Sequence, residues 1–398
     1  MTQVQRRAVR GAAGVAALVM ATALVGCQNF FVCDKASCTT SGGSTGGGGN
    51  FAYVANNVSS ITQINGYTLA KPNLTAATGS PYSLGLTPTA MVMSHNNAFL
   101  YVASAGTTAQ PTSQIFGFRV GTGGSLALIN GITALASQSS VAAMDVSPDG
   151  NWLVVTTANG SASLTPTTIT AYPINTTTGF LNAAAPLSYG VASSAIISSL
   201  KVAPSGEFIS VALGLGGVAT FPFNTSTGLI SNGVITTYTP TTVGAFDLAI
   251  DSNNLLYVAV TGGIYVYTVT VSSASAVTLN AVTTAPIATA SGGPFSIALD
   301  GTSYVYATAS NTSSSLIYGF SNKAGVLTPL STATIAAPTS TSRLAVDSTG
   351  AYLLAAGYDS SAGLKLYSIT SGTGLLTSLD TAATGTSLVV PTALALTH

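Results

Sequence analysis

Charge is what this sequence has least of. Charged residues make up 5% of its 398 positions, where roughly 25% is usual for soluble domains. Apolar residues reach 47%, which excludes a disordered chain. Polar character comes from Ser, Thr, Asn and Gly, residues that suit strands and turns. Histidine occurs twice and cysteine three times. There is no HExxH motif, no clustered metal-ligand set, no P-loop and no GxSxG motif, so neither a metal nor a cofactor is expected. Gly214-Leu215-Gly216-Gly217 is glycine-rich but opens no helix and reads as a loop. Beyond the N-terminus no segment has capped helical periodicity.

The first 26 residues read as an export signal. Arg6, Arg7 and Arg10 precede an apolar run from Gly11 to Val25, too short for an ordinary transmembrane helix. Losing those three arginines leaves seven basic residues against ten acidic ones, a balance with no electrostatic footprint for nucleic acid. Leu24-Val25-Gly26-Cys27 resembles the lipobox of bacterial lipoproteins. The resemblance implies cleavage before Cys27, acylation of that cysteine and a membrane anchor. Gln28 in the next position implies sorting to the outer membrane of the cell envelope. Cys33 and Cys38 then remain, either as a small disulfide loop or as two free thiols. Residues 41–49 form a Gly/Ser tether. The domain organisation is therefore 1–26 signal, 27–50 anchor and linker, and 51–398 folded domain.

From Phe51 a strand core recurs seven times, at Phe51, Phe99, Trp152, Phe208, Leu255, Tyr304 and Tyr352, with starts 47 to 56 residues apart. About 15 residues further on comes an aromatic: Tyr67, Phe118, Tyr172, Phe221, Tyr267, Phe320 and Tyr367. This column reads as core between blades. The repeat around Trp152 shows four strand-like runs: Met144 to Ser147, Trp152 to Thr157, Ile169 to Ile174, and Phe180 onward. Four short strands at a fixed period describe a propeller blade. The fold class is all-β, a seven-bladed β-propeller of four-stranded antiparallel blades.

Closure is legible too. A strand precedes six of the seven cores, as in Pro88-Thr89-Ala90-Met91-Val92-Met93, but none precedes Phe51. The missing one stands at the other end as Pro391-Thr392-Ala393-Leu394-Ala395-Leu396. The C-terminal strand is therefore expected to pair with the N-terminal one, which leaves no open inner edge.

The Tyr-Val-Ala cores, the turn Ser147-Pro148-Asp149-Gly150 and the turns Thr178-Gly179 and Thr227-Gly228 resemble the lactonase-fold propellers. That group includes the 6-phosphogluconolactonase-like proteins and the Tyr-Val-Thr-Asn surface repeats. The resemblance spans residues 51–398 and implies the architecture. Its motifs are turns and core strands, so they do not carry the activity.

A lactonase needs a base or activated water and donors for a developing oxyanion. His95 and His398 follow inner strands, where His95 reads as a solvated turn residue. Asp149, Glu207, Asp251, Asp300 and Asp347 lie at the hairpin after the inner strand and read as turn residues. Asp359 and Asp380 read as solvated. The exceptions are on the inner strands. Aligned across repeats, one position reads Ala90, Ala143, Ser199, Asp247, Ser296, Arg343, Ala393, and two residues later it reads Val92, Asp145, Lys201, Ala249, Ala298, Ala345, Ala395. Residues two apart share a strand face, so Asp247, Arg343, Asp145 and Lys201 fall among small residues near the propeller axis. The first reading of these four is two ion pairs that satisfy one another, such as Asp145 with Lys201. The alternative is a ligand site, in which they are the weak catalytic candidates.

The main reading is an envelope-anchored binding or scaffold module and not an enzyme; the alternatives are a periplasmic sugar-lactone hydrolase and a glycan-binding module. The ligand, whether small molecule, glycan or protein, is expected at the central funnel. The glycan reading would need Tyr82, Tyr189 and Tyr358 to cluster on one face.

Overall fold

The strand that follows each inner strand is apolar on both faces, because it is sandwiched between two neighbouring blades. Phe51 to Ala55, Phe99 to Ala103 and Phe208 to Ala212 are buried throughout. The aromatic column packs as expected: Tyr67, Phe118, Tyr172, Phe221, Tyr267, Phe320 and Tyr367 are all buried. The computed structural model describes residues 50–397 apart from 59–60, 71, 86, 106–111, 138, 160–166, 183–186, 192–196, 240, 275, 284–286, 290–293, 311–314, 358–362 and 385–389. The signal, Cys27, Cys33, Cys38, the linker, Tyr358, Asp359 and His398 lie outside the described residues.

Seven antiparallel sheets form the seven blades. Numbered from the N-terminus, their inner strands are Val390–Leu396 for blade 1, then Pro88–Met93, Ser139–Val146, Ser199–Val202, Ala245–Ile250, Pro294–Asp300 and Arg343–Val346. Blade 1 is shared by the two ends of the domain, since Ala52 pairs with Leu396 and Val54 with Leu394. The Phe51 amide donates to Thr397 Oγ1 at 2.9 Å. The inner strand of blade 1 touches those of blades 7 and 2, completing the ring.

Blades 7 and 1 are also joined further out. The Leu74 amide donates to Asp380 Oδ2 at 2.7 Å, and the Tyr67 phenol to the Ala383 carbonyl at 2.6 Å. Asp380 is thus an inter-blade acceptor and not the solvated residue expected. In blade 3 the fourth run returns from Phe180, where Leu181 bridges Ile174, and the outer strand proper is Leu187–Val191.

The inner strands are bulged. In five blades the ladder slips near the first axial position: at Thr89, Ala142, Phe246 and Thr392, and across Phe295 and Ser296. A bulge bends its strand and re-aims the next side chain. Hydroxyls meet the backbone groups it displaces. Thr156 Oγ1 accepts from the Ala143 amide at 3.1 Å and donates to the Ala143 carbonyl at 3.0 Å. Thr308 Oγ1 accepts from the Ser296 amide at 3.1 Å. Among the described residues no helix is long and apolar enough to cross a membrane.

Candidate functional site in the axial channel

Both axial positions line the channel down the propeller axis. The first, from Ala90 to Ala393, surrounds a cavity of about 130 Å³. The second, from Val92 to Ala395, lines a wider space of about 500 Å³. Lys201 borders both spaces. Asp247 and Arg343 border the first and Asp145 the second. The structure therefore brings all four candidates to one channel.

It does not pair them. Asp247 sits on blade 5 and accepts four hydrogen bonds. Its Oδ1 takes the Ser199 hydroxyl at 2.7 Å and the Leu248 amide at 2.9 Å. Its Oδ2 takes the Ser296 hydroxyl at 2.8 Å and the Ile297 amide at 3.1 Å. A carboxylate has about four acceptor sites, so Asp247 is filled and clamps blades 4, 5 and 6 together. Asp145 Oδ2 accepts the Val202 amide of blade 4 at 2.9 Å, and Oδ1 the Val146 amide at 3.1 Å. Each of its oxygens keeps a free acceptor site.

The cations are left without carboxylates. Among the described residues the Lys201 ammonium makes no hydrogen bond or ion pair, so the expected Asp145–Lys201 pair does not form. Asp145 accepts instead from the backbone amide of the next residue, Val202. Arg343 Nη1 donates to the Ser342 carbonyl at 2.9 Å. The channel lining thus holds three acids, Asp145, Asp247 and Asp251, each with hydroxyl or amide partners, and two cations without a carboxylate partner. The serines that seat Asp247 carried no signal of their own; only their place in the first axial column marked them.

The hairpin acids behave as turn residues in three of five positions. Asp149 accepts from the Asn151 amide, Asp251 from the Asn253 and Leu255 amides, and Asp347 from the Ala351 and Tyr352 amides. Asp300 differs: burial, followed by the nearby Asp347 charge, holds its carboxyl above the ordinary aspartate range. His95 is exposed in its turn and donates from Nε2 to the Val146 carbonyl at 3.2 Å. Among the described residues no three His, Cys, Asp or Glu side chains could hold a metal ion.

Tyr82 is not a surface aromatic. It is 5% exposed, and its phenol donates to the Thr78 carbonyl and lies 3.1 Å from that of Gly124. The chain turns back at Gly79 and lays Tyr82 over Gly66, where an added Cβ would meet its ring at 3.2 Å. Tyr189 lies on the outer strand of blade 3, not in a loop. Of the three tyrosines named for a glycan face, Tyr82 is thus buried in the fold, and Tyr358 lies outside the described residues.

No curated protein matches this sequence. Solved structures do. A putative 6-phosphogluconolactonase from Bacteroides uniformis aligns with a TM-score of 0.69 at 17% identity, over 87% of this chain and 99% of that one. The periplasmic gluconolactonase of Pseudomonas aeruginosa aligns with a TM-score of 0.68 at 16% identity, over 88% and 99%. A putative 6-phosphogluconolactonase from Bacteroides fragilis gives 0.66 at 17%, over 89% and 100%. At such identities the likeness concerns the fold. The sequence model of the family described as lactonase, 7-bladed beta-propeller, matches residues 51–391, and this chain belongs to that family.

Proposed function

We propose that this protein binds a sugar lactone in its axial channel and hydrolyses it to the open-chain acid. The observation that carries the reading is the pair of bases, Arg343 and Lys201, on a channel wall where neither has a carboxylate partner among the described residues. They suit the oxyanion of an opening lactone and the carboxylate of its product. The relatives described as gluconolactonases support the substrate class.

Asp145 is the acid free to act as a base. A water in the channel gives its proton to Asp145 and attacks the lactone carbonyl carbon. The carbonyl oxygen becomes an oxyanion facing a cation. The ring C–O bond then breaks, and the departing ring oxygen takes the proton back from Asp145. The product is a hydroxy acid, and Asp145 is again a carboxylate. Asp247 takes no proton in this scheme, because all its acceptor sites are filled.

The test is lactone opening by wild type and by Asp145→Asn, with a panel of sugar lactones. Losing one aligned acid–base group should cost about 10²-fold or more in kcat. Turnover unchanged by the substitution would remove Asp145 from the mechanism.

One observation favours a second reading, a binding module without turnover: among the described residues the channel wall carries neither histidine nor cysteine. Aldonate binding without lactone opening would select it.

Attachment to the envelope through acylated Cys27, with outer-membrane sorting through Gln28, is part of the same proposal. It is supported by Arg6, Arg7, Arg10 and the Leu24–Cys27 segment. Several acyl chains would anchor firmly, each buried methylene contributing about 0.8 kcal/mol. Radioactive palmitate should label the wild type and not Cys27→Ser; equal labelling would overturn the anchor.

A further inference from the structure

Arg343 is the side chain on which the anion reading most depends, and its strand is fastened on both sides. On one side the Leu344 amide donates to Ser296 Oγ of blade 6 at 3.1 Å. On the other the Ser342 hydroxyl donates to the Pro391 carbonyl of blade 1 at 3.1 Å. The guanidinium then folds back onto the Ser342 carbonyl. A hydroxyl has one proton. Ser296 can accept from Leu344 in a fixed direction because its own proton is committed to Asp247 Oδ2, 2.8 Å away. The same Oδ2 is held by a second donor, the Ile297 amide at 3.1 Å. The chain of contacts runs from Asp247 through Ser296 to the backbone beside Arg343.

We propose that Asp247 and Ser296 are positioning residues: Asp247 orients the Ser296 hydroxyl, which holds the blade 7 strand so that Arg343 stands on the narrower cavity of the channel. Asp247 thus touches no substrate and still governs the anion site. The Ser199 arm of the same carboxylate leads toward blade 4, away from Arg343, and has no such effect.

The test needs no ligand. Once the signal is removed, only Arg119 and Arg343 remain as arginines. Phenylglyoxal labelling of the intact protein, read peptide by peptide in a mass spectrometer, reports the accessibility of Arg343 with Arg119 as internal reference. Arg119 is held on blade 2 by the Thr177 carbonyl and the Phe99 ring. Ser296→Ala and Asp247→Asn should each raise the Arg343 rate about threefold to tenfold, the factor one lost hydrogen bond supplies. Ser199→Ala removes an equal bond from Asp247 and should leave the rate unchanged. Ser296→Thr keeps the hydroxyl and should restore the wild-type rate, which separates positioning from misfolding. Equal rates in all variants, or an equal rise in Ser199→Ala and Ser296→Ala, would overturn the proposal. A parallel gluconate titration tests the proposed function it rests on. Labelling shifts without gluconate binding would keep the relay and refute the ligand class.

Discussion

The phenol of Tyr53 donates to the carbonyl of Gly124 at 2.8 Å, fastening blade 1 to a turn of blade 2. The contact recurs from Tyr101 to Gly179 at 3.0 Å and from Tyr306 to Gly374 at 2.8 Å. Each acceptor is a turn glycine with positive φ, lying under the aromatic that starts the preceding core: Phe51 on Gly124, Phe99 on Gly179, Tyr304 on Gly374. The repeat thus encodes its own blade-to-blade joint, a ring with no room for a Cβ and a phenol for the exposed carbonyl.

Gly179→Ala tests that joint. Its Cβ would fall 2.5 Å from a Phe99 ring carbon, at φ 80°. Overpacking of this kind costs about 1–3 kcal/mol, and the lost freedom at positive φ adds to it. Tyr101→Phe, which removes only the hydroxyl, should cost about 1 kcal/mol. Denaturant midpoints check both; a glycine variant as stable as wild type would contradict the packing account.

The C-terminal strand is required. Deleting Val390 to His398 removes the inner strand of blade 1 and bares the edge of Phe51–Val58. The truncated chain should unfold at a much lower midpoint than the full domain, or aggregate through the exposed edge. An unchanged midpoint would contradict the closure.

Asp145 and Lys201 should not be energetically coupled. Asp145→Asn weakens the one hydrogen bond to the blade 4 backbone, at Val202, and should cost about 1 kcal/mol. Lys201→Met should fall within about 0.5 kcal/mol of wild type, as surface changes do. The double variant should be additive within about 0.5 kcal/mol. A coupling above that in a double-mutant cycle would indicate an ion pair.

How much of this was legible in the sequence divides along one line. Seven cores, the aromatic column and the stray C-terminal strand fixed architecture and closure, because each repeat buries the same faces. The period of two placed Asp145, Lys201, Asp247 and Arg343 on the channel wall. Their partners were hidden. Asp145 meets a backbone amide and Asp247 two serines and two amides, and backbone donors leave no mark in a residue pattern. The bulges that re-aim these strands are equally silent. Asp380 and Tyr82 misled for a related reason, since each is claimed by a carbonyl or amide brought close only by folding.

Stability should respond to pH through Asp300. Burial and then Asp347 raise its folded-state pKa, so the folded chain binds this proton more tightly than the unfolded one. The sign follows: the carboxylate opposes folding at neutral pH, and the opposition fades as pH falls through the raised value. Asp300→Asn should raise the melting temperature at neutral pH, with the gain vanishing below the unfolded aspartate value of about 3.9. At the alkaline end, burial holds the phenols of Tyr53, Tyr101 and Tyr306 above the ordinary tyrosine range. Their contribution is present below about pH 10 and is lost above it. Melting temperatures across pH check both ends, and a profile unchanged by Asp300→Asn would contradict the acid-side argument.

The most direct test of the functional account is the rate of sugar-lactone opening by wild type and by Arg343→Ala, with melting temperatures measured alongside. The account predicts wild-type turnover above the spontaneous rate. Arg343→Ala should lower kcat/KM about 10²-fold, the scale of a lost oxyanion donor, with the melting temperature little changed. Wild type that neither opens a lactone nor binds an aldonate, or an Arg343→Ala variant that turns over at the wild-type rate, would contradict it.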